Sequence, residues 1–295
     1  MMHPETEAFL AGVNLLPPVE FGDAEGARAR RRLLAHQFDS GPESVSSVNY
    51  GVAGVRVRRY GGEPTGDALI VYVHGGGWIS GDLDTHDGIC RRLVDATATP
   101  LVAIDYRRPP EHASPAAVDD VLAVVGELAT EGRQLCVAGD SSGAHIVVEA
   151  VRQSIARYPD RDIRAILLIQ PACDPAMQSL SWQRLGSGFF LSAAAMRWYW
   201  TAYRGDDRRP LWDQDLSSLP ETLVITSSLD PSADEAIALV DHLRAIGVTV
   251  EHVALDGYTH GCLTLPAAFP SLAQTINSAG QWLLGPHARS RKELS

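Results

Sequence analysis

Three residues far apart in the chain have the types needed to turn a hydroxyl group into a nucleophile. Ser141, Asp230 and His260 follow one another in this order along the 295-residue sequence. A serine hydroxyl is a weak nucleophile until a base removes its proton, and an acid must orient the imidazole of that base. These types predict acyl transfer through a covalent intermediate, with Ser141 as nucleophile, Asp230 as acid and His260 as base.

Ser141 lies in the middle of the segment GDSSG (139–143), which matches the pattern G-x-S-x-G. In a strand-to-helix turn, small flanking residues let the backbone close up while the serine hydroxyl points away from it. An apolar run, Leu135–Ala138, precedes the segment, and a helix-like stretch, Gly143–Arg157, follows it. This context favours a nucleophile turn over an ordinary glycine- and serine-rich turn, which the five residues alone would also fit.

The acid and the base each follow a predicted strand. Asp230 comes after Thr222–Ser227, and His260 lies in the loop after Val248–Ala254. Parallel strands end at one edge of their sheet, so we expect both residues at the edge where Ser141 emerges. Other acids and histidines are weaker candidates, because they fit positions within a helix, within a strand or in the same turn as His260. They are Asp234, Glu235, Asp256, His145, His242 and His252.

The run His74-Gly75-Gly76-Gly77 could present backbone N–H groups to a negatively charged oxygen. Glycine lets amides approach a substrate carbonyl closely, and such donors are often the largest single contribution to catalysis. We expect the N–H groups of Gly75, Gly76 and Ser142 to form this oxyanion hole. The alternative, a flexible linker, would require a domain boundary that the surrounding sequence does not contain.

Apolar strands that alternate with helices must position these residues. The remaining predicted strands are Val55–Tyr60, Ala68–His74, Leu101–Asp105 and Ala165–Gln170. The remaining predicted helices are His86–Ala96, Pro115–Leu128, Asp234–Ile246 and Ala267–Leu283. Nearly continuous apolar strands are typical of parallel sheets buried on both faces. We therefore predict an α/β fold with a mostly parallel central sheet flanked by helices.

Two segments interrupt this alternation. Residues 1–48 have a helical pattern and precede the first predicted strand, and residues 175–218 separate two strands by far more than a usual connection. We expect both to form a helical cap over a catalytic domain that comprises 49–174 and 219–290. The basic run Arg28–Arg32 fits the solvent-facing side of an amphipathic helix.

Composition argues against several classes of protein. A formal net charge of −11 argues against nucleic acid as a partner. No apolar run reaches the ~18 residues of a membrane helix, and the N-terminus lacks a signal-peptide pattern. The four cysteines have no metal-ligand spacing, which predicts free thiols. We expect a cytoplasmic protein with no cofactor, metal or membrane partner. Its oligomeric state stays open, a homodimer included.

From Val52 to Leu284 the chain resembles α/β-hydrolases of the hormone-sensitive-lipase family, which includes many bacterial carboxylesterases. The motifs that carry the resemblance are HGGGW, DYRRPPEHASPAAVDD, GDSSGAH, LDPSADEA and GYTHGC. It implies an α/β-hydrolase fold, a triad of Ser141, Asp230 and His260, and loops braced by Glu111 and His112.

The chain departs from the family pattern at several positions, three of them close to the predicted triad. Ser142 stands where the family usually has Ala, Ser232 where it commonly has Leu, and Cys262 where it commonly has Phe. The segment DSSGAH is also similar to arylformamidases. These departures leave the triad complete. They weaken the inference that this chain shares the substrate class of the family.

Three residues are candidates for the substrate pocket: Trp78 directly after the glycines, Trp198 in the inserted segment, and Cys262 after the histidine. Core packing is the alternative for the aromatic residues of the insertion. With no evident charged clamp, we expect a small neutral ester, cleaved through an acyl-enzyme. The alternatives are an amide or formamide hydrolase, a biosynthetic deacetylase, or a non-catalytic binding relative, although such relatives typically lose a triad residue.

Overall fold

An eight-stranded sheet forms the centre of the computed structural model, which describes residues 1–16, 18–19, 23–63, 66–160, 162–205, 207 and 209–285. The strands are β1 (Ser47–Val52), β2 (Val55–Tyr60), β3 (Ala68–Val73), β4 (Leu101–Ile104), β5 (Gln134–Asp140), β6 (Ile163–Ile169), β7 (Glu221–Leu229) and β8 (Val250–Thr259). Their spatial order is β1-β2-β4-β3-β5-β6-β7-β8. Residues 286–290 of the predicted catalytic domain lie outside the described part.

Six of these strands run parallel, from β4 and β3 through to β8, while β2 pairs antiparallel with both β1 and β4. The helices are α1 (Pro4–Val13), α2 (Ala24–Phe38), α3 (Asp87–Thr97), α4 (Ala116–Leu128), α5 (Ser142–Arg157), α6 (Leu180–Leu185), α7 (Ala193–Arg204), α8 (Ala233–Ala245) and α9 (Ala273–Leu284). The predicted α/β fold with a mostly parallel sheet is therefore confirmed. In the described residues, no helix has both the length and the apolar character to span a bilayer.

Both faces of the sheet are covered. Along β3, Val71 and Val73 pack into a core that includes residues of α4, α5 and α8, while Ile70 and Tyr72 pack into a second core with α3 and α9. Successive side chains of a strand point to opposite faces, so a strand covered on both sides must be apolar throughout. This explains why the central strands read as continuous apolar runs.

Strand β1 has no counterpart among the predicted strands. Its sequence, SVNYGV, is exposed except at Val52, because β1 lies at the edge of the sheet and pairs only with β2. Helix α9 also begins later than predicted, at Ala273, because a short 3-10 helix, Pro270–Leu272, precedes it.

The two segments predicted to form the cap are helical and touch one another. Residues 1–48 contain α1 and α2, and residues 175–218 contain α6 and α7. The rings of Phe9 and Phe190 pack edge to face at 5.2 Å, and Asn14 Nδ2 donates to the carbonyl of Gly188 at 3.1 Å.

Candidate active site

The side chains of Ser141, His260 and Asp230 form a continuous hydrogen-bonded chain. His260 Nε2 lies 3.0 Å from Ser141 Oγ, and His260 Nδ1 lies 2.8 Å from Asp230 Oδ2. Asp230 is 1% exposed and His260 8% exposed, so water competes little for these contacts. This geometry allows the imidazole to accept the serine proton at Nε2 while Asp230 fixes the opposite side of the ring.

The sheet topology explains why three distant residues meet. Strand β5 ends at Asp140, β7 at Leu229 and β8 at Thr259, and each predicted triad residue is the next one in the chain. Since β5 to β8 are parallel, their carboxyl ends share one edge of the sheet.

Ser141 occupies a strained turn that only small neighbours permit. Its φ and ψ are 52° and −118°, outside the conformations that most side chains adopt. A Cβ on Gly143 would collide with the carbonyl groups of Val73 and His74, and one on Gly139 would lie 2.8 Å from the backbone of Gly143. The two glycines of the G-x-S-x-G pattern thus allow the turn to pack against its neighbours.

Asp230 is held by more than the histidine. Its Oδ1 accepts hydrogen bonds from the backbone N–H and the hydroxyl of Ser232, both at 2.8 Å. Both carboxylate oxygens therefore have partners, and the hydroxyl comes from a position where the family commonly has Leu. The departure is visible in the sequence, but its role depends on this contact in the folded chain.

Gln170 forms hydrogen bonds to both chain neighbours of His260, a role that was not predicted from the sequence. Its Nε2 donates to the carbonyl of Thr259 at 3.0 Å and to Ser227 Oγ at 2.7 Å, while its Oε1 accepts from the N–H of Gly261 at 2.7 Å. One side chain thus binds the backbone on both sides of the histidine. A glutamine directly after an apolar strand was the available signal, but its partner loop lies about 90 positions further along the chain.

The prediction for Gly75 needs correction. Its N–H donates to Asp140 Oδ1 at 2.9 Å and is not free for a substrate oxygen. Gly76 and Gly77 line the space beside Ser141, and within the part of the chain that the structure describes their N–H groups have no protein acceptor. Ser142 begins α5, so its N–H is one of the four that a helix leaves without an internal partner.

Asp140 holds the glycine run (Gly75–Gly77) in place through its hydrogen bond with Gly75. Besides Gly75, its Oδ1 accepts from the hydroxyl of Tyr72 at 2.9 Å, and its Oδ2 lies 3.5 Å from His86 Nε2. Burial alone would raise the pKa of Asp140, but His86, Arg31 and the Tyr72 hydroxyl together hold it well below its usual range. Asp140 is therefore an anion that organises the run.

The three predicted pocket residues lie outside the space beside Ser141, so that prediction also needs correction. The indole of Trp78 is fully buried and stacks on Tyr203 at 4.5 Å, while the backbone N–H of Trp78 donates to Ser142 Oγ at 3.0 Å. Trp198 is half-buried and packs on Tyr199. Cys262 is fully buried, and burial raises the pKa of its thiol to about 12.

A small cavity of about 70 Å³ lies beside Ser141, and we call it the Ser141 cavity. Its walls come from the sheet edge, from α2 and from the inserted segment. The lining residues are Arg31, Gly76, Gly77, Ser80, Asp140, Ser141, Phe190, Tyr199, His260, Gly261 and Thr264. Phe190 and Tyr199 are thus the aromatic residues of the insertion that reach the site.

Part of the basic run on α2 faces the protein, where a solvated face was expected, while Arg32 is exposed. Arg28 makes a two-pronged ion pair with Glu111, at 2.8 and 2.7 Å, and Arg32 lies 3.4 Å from Asp82. Arg31 is 9% exposed and lines the Ser141 cavity. The expectation of a pocket without charge is therefore wrong for this wall.

A larger surface depression, of about 1000 Å³, lies elsewhere. It is bordered by Ala68, Gln134 and Glu221, at the amino ends of β3, β5 and β7, and by α9. The hydrogen-bonded chain of Ser141 lies at the opposite, carboxyl ends of the strands. The small cavity is therefore the one that a reacting group could occupy.

Comparison with known proteins agrees with this geometry. Residues 70–264 match the family model described as the alpha/beta hydrolase fold. The chain is 33% identical over 282 residues to the carboxylesterase NlhH of Mycobacterium tuberculosis, covering 85% of this chain and 88% of the relative. It is 32% identical over 269 residues to the carboxylic ester hydrolase LipN of the same organism, covering 82% and 71%. The crystal structure of a thermostable esterase from Pseudomonas putida superposes with a TM-score of 0.87 at 26% identity, covering 96% of each chain.

Proposed function

The chain belongs to the alpha/beta hydrolase fold family, and from this premise we propose that it is a serine carboxylesterase for small esters with short acyl groups. The observation that carries the proposal is the hydrogen-bonded chain Ser141–His260–Asp230, with contacts of 3.0 and 2.8 Å. Its order along the sequence and its place at the strand ends fit nucleophile, base and acid.

The first half of the reaction forms an acyl-enzyme. Ser141 Oγ attacks the ester carbonyl while His260 Nε2 takes its proton, and Asp230 stabilises the imidazolium that results. His260 then donates this proton to the departing alcohol. In the second half, water attacks the acyl group, with His260 again as base, and Ser141 is restored.

The negative oxygen of each tetrahedral intermediate needs donors that are already in place. The N–H groups of Gly76, Gly77 and Ser142 are the candidates, since Gly75 is bound to Asp140. Fixed amides aimed at the developing charge need no rearrangement during the reaction, and one such donor contributes about 3 kcal/mol.

The size of the Ser141 cavity supports a preference for short acyl groups. Its volume of about 70 Å³ equals the space of roughly two water molecules. Phe190 and Tyr199 close part of it, and both come from the inserted segment 175–218. We propose that this segment and residues 1–48 act together as the cap, because Phe9 and Asn14 contact the insertion directly.

Ser141→Ala tests the proposal. We expect hydrolysis of p-nitrophenyl acetate to fall by a factor of about 10⁴ or more, because the nucleophile is lost, while the circular dichroism spectrum stays unchanged. Ser278→Ala, at an exposed serine of α9, is the matched control and should keep full activity. Full activity in Ser141→Ala would overturn the assignment.

A panel of substrates tests the reaction and the chain length. Rates with p-nitrophenyl esters should decline from acetate and butyrate to octanoate, because longer acyl groups exceed the cavity. The corresponding N-acyl and N-formyl anilides should react more slowly. Faster hydrolysis of the anilides would make the protein an amide or formamide hydrolase instead.

A further inference from the structure

Arg31 places a guanidinium group in the wall of the Ser141 cavity. The residue is 9% exposed, and both of its hydrogen-bonding contacts are made by Nη2, to His86 Nε2 at 3.1 Å and to Thr264 Oγ1 at 3.3 Å. Its Nε is buried and has no hydrogen-bond partner among the described residues. A buried donor without a partner is unfavourable, and Arg31 lines the Ser141 cavity, so a bound group that accepts from this guanidinium would offset part of that cost.

Neighbouring arginines of α2 show what Arg31 lacks. Arg28 is paired with Glu111, and Arg32 is paired with Asp82 and Glu25. Over the described ranges of the chain, no carboxylate lies within 4.0 Å of the Arg31 side chain. A buried cation is normally paired, because the loss of its hydration must be offset. Arg31 is therefore a buried cation that lines the Ser141 cavity and has no carboxylate partner among the described residues.

Asp140 lines the same cavity and is a candidate for an internal partner, but in the described part of the chain no ion pair within 4.0 Å joins its carboxylate to Arg31. Oδ1 accepts from Tyr72 and Gly75, and Oδ2 faces His86. Arg31 acts on Asp140 only through its charge at longer range, and it acts on Asp39 in the same way. Neither carboxylate uses the hydrogen-bonding capacity of the guanidinium.

We propose that Arg31 binds a carboxylate group of the substrate, so that the preferred substrates are short esters with a free carboxylate close to the ester bond. This inference rests on the proposed esterase function of the same site. A guanidinium matches the planar geometry of a carboxylate better than other cations do. Arg31 and Ser141 line the same cavity of about 70 Å³, so the ester and the carboxylate of the substrate must be close together.

Matched pairs of acidic and neutral esters test this preference. The acidic substrates are monoethyl malonate and monoethyl succinate, with the carboxylate on the acyl side, and acetoxyacetate, with the carboxylate on the alcohol side. Each is compared with the corresponding primary amide, which has the same shape and no charge. For at least one pair, we expect the wild-type kcat/KM to favour the acid by about tenfold or more.

Substitution of Arg31 should remove that preference. In Arg31→Gln the ratio of kcat/KM for the acid to kcat/KM for the amide should fall by about tenfold. Arg31→Lys should retain part of the preference for the acid. Arg32→Gln, one position further along the same helix, is the control and should leave the ratio unchanged. Equal rates for acid and amide in all three wild-type pairs, or a ratio that survives in Arg31→Gln, would overturn the inference.

Competition in the wild-type protein provides a test that needs no variant to fold. Succinate should inhibit hydrolysis of ethyl acetate at a concentration at least about tenfold lower than succinamide does. Equal inhibition by the two compounds would contradict a carboxylate site while leaving the esterase function intact. Failure of the wild-type protein to hydrolyse ethyl acetate at all would instead contradict the proposed function.

Discussion

The three glycines that follow His74 have three different neighbours. A side chain on Gly75 would meet the Asp140 carboxylate, one on Gly76 would meet the backbone of Gly81, and one on Gly77 would meet the ring of Tyr199. Gly76 and Gly77 also have φ values of +108° and +61°, which residues with a Cβ rarely adopt. The run is therefore constrained at every position, and each glycine is required for its own reason.

Gly76→Ala tests the role of the run in the reaction. The new Cβ would push against Gly81 and move the Gly76 N–H, so we expect kcat for p-nitrophenyl acetate to fall about 100-fold. Gly62→Ala is the matched control, since Gly62 is exposed and a Cβ there meets no atom within 4 Å. A loss of activity equal in both variants would contradict the assignment.

The order of Ser141, Asp230 and His260 was predictable because each follows a predicted strand, and the strands before Ser141 and Asp230 are apolar runs that the sequence displays directly. The contacts of Gly75 and Arg31 were not predictable in the same way. Both depend on side chains that approach from distant segments, Asp140 in one case and the α2 wall in the other. A basic run looks the same in sequence whether its helix faces water or protein.

At the scale of elements, the sheet edge brings the reacting groups together, and one side chain holds the last loop in register. Gln170 follows β6 and binds both Thr259 and Gly261, which flank His260 at the end of β8. Without this clamp of hydrogen bonds, the imidazole of His260 would be displaced, and a displacement of about 1 Å can reduce a rate about 100-fold.

Gln170→Met keeps the length of the side chain and removes its polar atoms. We expect kcat to fall about tenfold while KM changes less than about threefold, because the histidine is displaced and the cavity is not. Gln274→Met, at an exposed glutamine of α9, should change neither constant. An unchanged kcat in Gln170→Met would show that the loop holds His260 without this clamp.

Among the elements, the buried strands were predictable and the edge strand was not. Strand β3 is apolar throughout, and β6 is apolar apart from Arg164, because helices cover both faces, and this pattern is visible in the sequence. Strand β1 has only one neighbour and five exposed residues, so its sequence carries no apolar run, and its short alternation of Val48, Tyr50 and Val52 with other residues is a weaker signal. Its position follows from pairing with β2, which local sequence does not encode.

At the scale of the whole molecule, a buried carboxyl group joins the inserted segment to the catalytic domain. Glu235, on α8, accepts from the N–H of Cys173 after β6 and from Trp182 Nε1 on α6, both at 2.9 Å. Burial raises the pKa of Glu235 to about 8, and the two donors offset only part of that effect.

This raised pKa predicts how stability depends on pH. The folded protein keeps the Glu235 proton up to about pH 8, whereas the unfolded chain releases it near its ordinary value of 4.5. The contribution of Glu235 to stability is therefore fully present below pH 4.5 and is lost as pH rises towards 8, by a few kcal/mol (order of magnitude).

Urea unfolding at pH 5, 6.5 and 8 checks this prediction. Relative to Glu235→Gln, the wild-type protein should lose free energy of unfolding as pH rises, because the variant has no proton to release. Glu251→Gln, at an exposed position, should follow the wild-type curve. If the curves of Glu235→Gln and the wild-type protein run parallel, the carboxyl group is already ionised at pH 5.

The Ser141 cavity draws its reactive groups and its walls from separate parts of the chain. Strand ends provide the serine, histidine and aspartate, while Arg31 on α2 and Phe190 and Tyr199 in the insertion provide walls. Natural variation can therefore redirect the protein to new esters by exchanging α2 or the insertion, with the chemistry left untouched. A designer could use the same division, recombining α2 and the insertion among relatives as interchangeable parts around one fixed reaction centre.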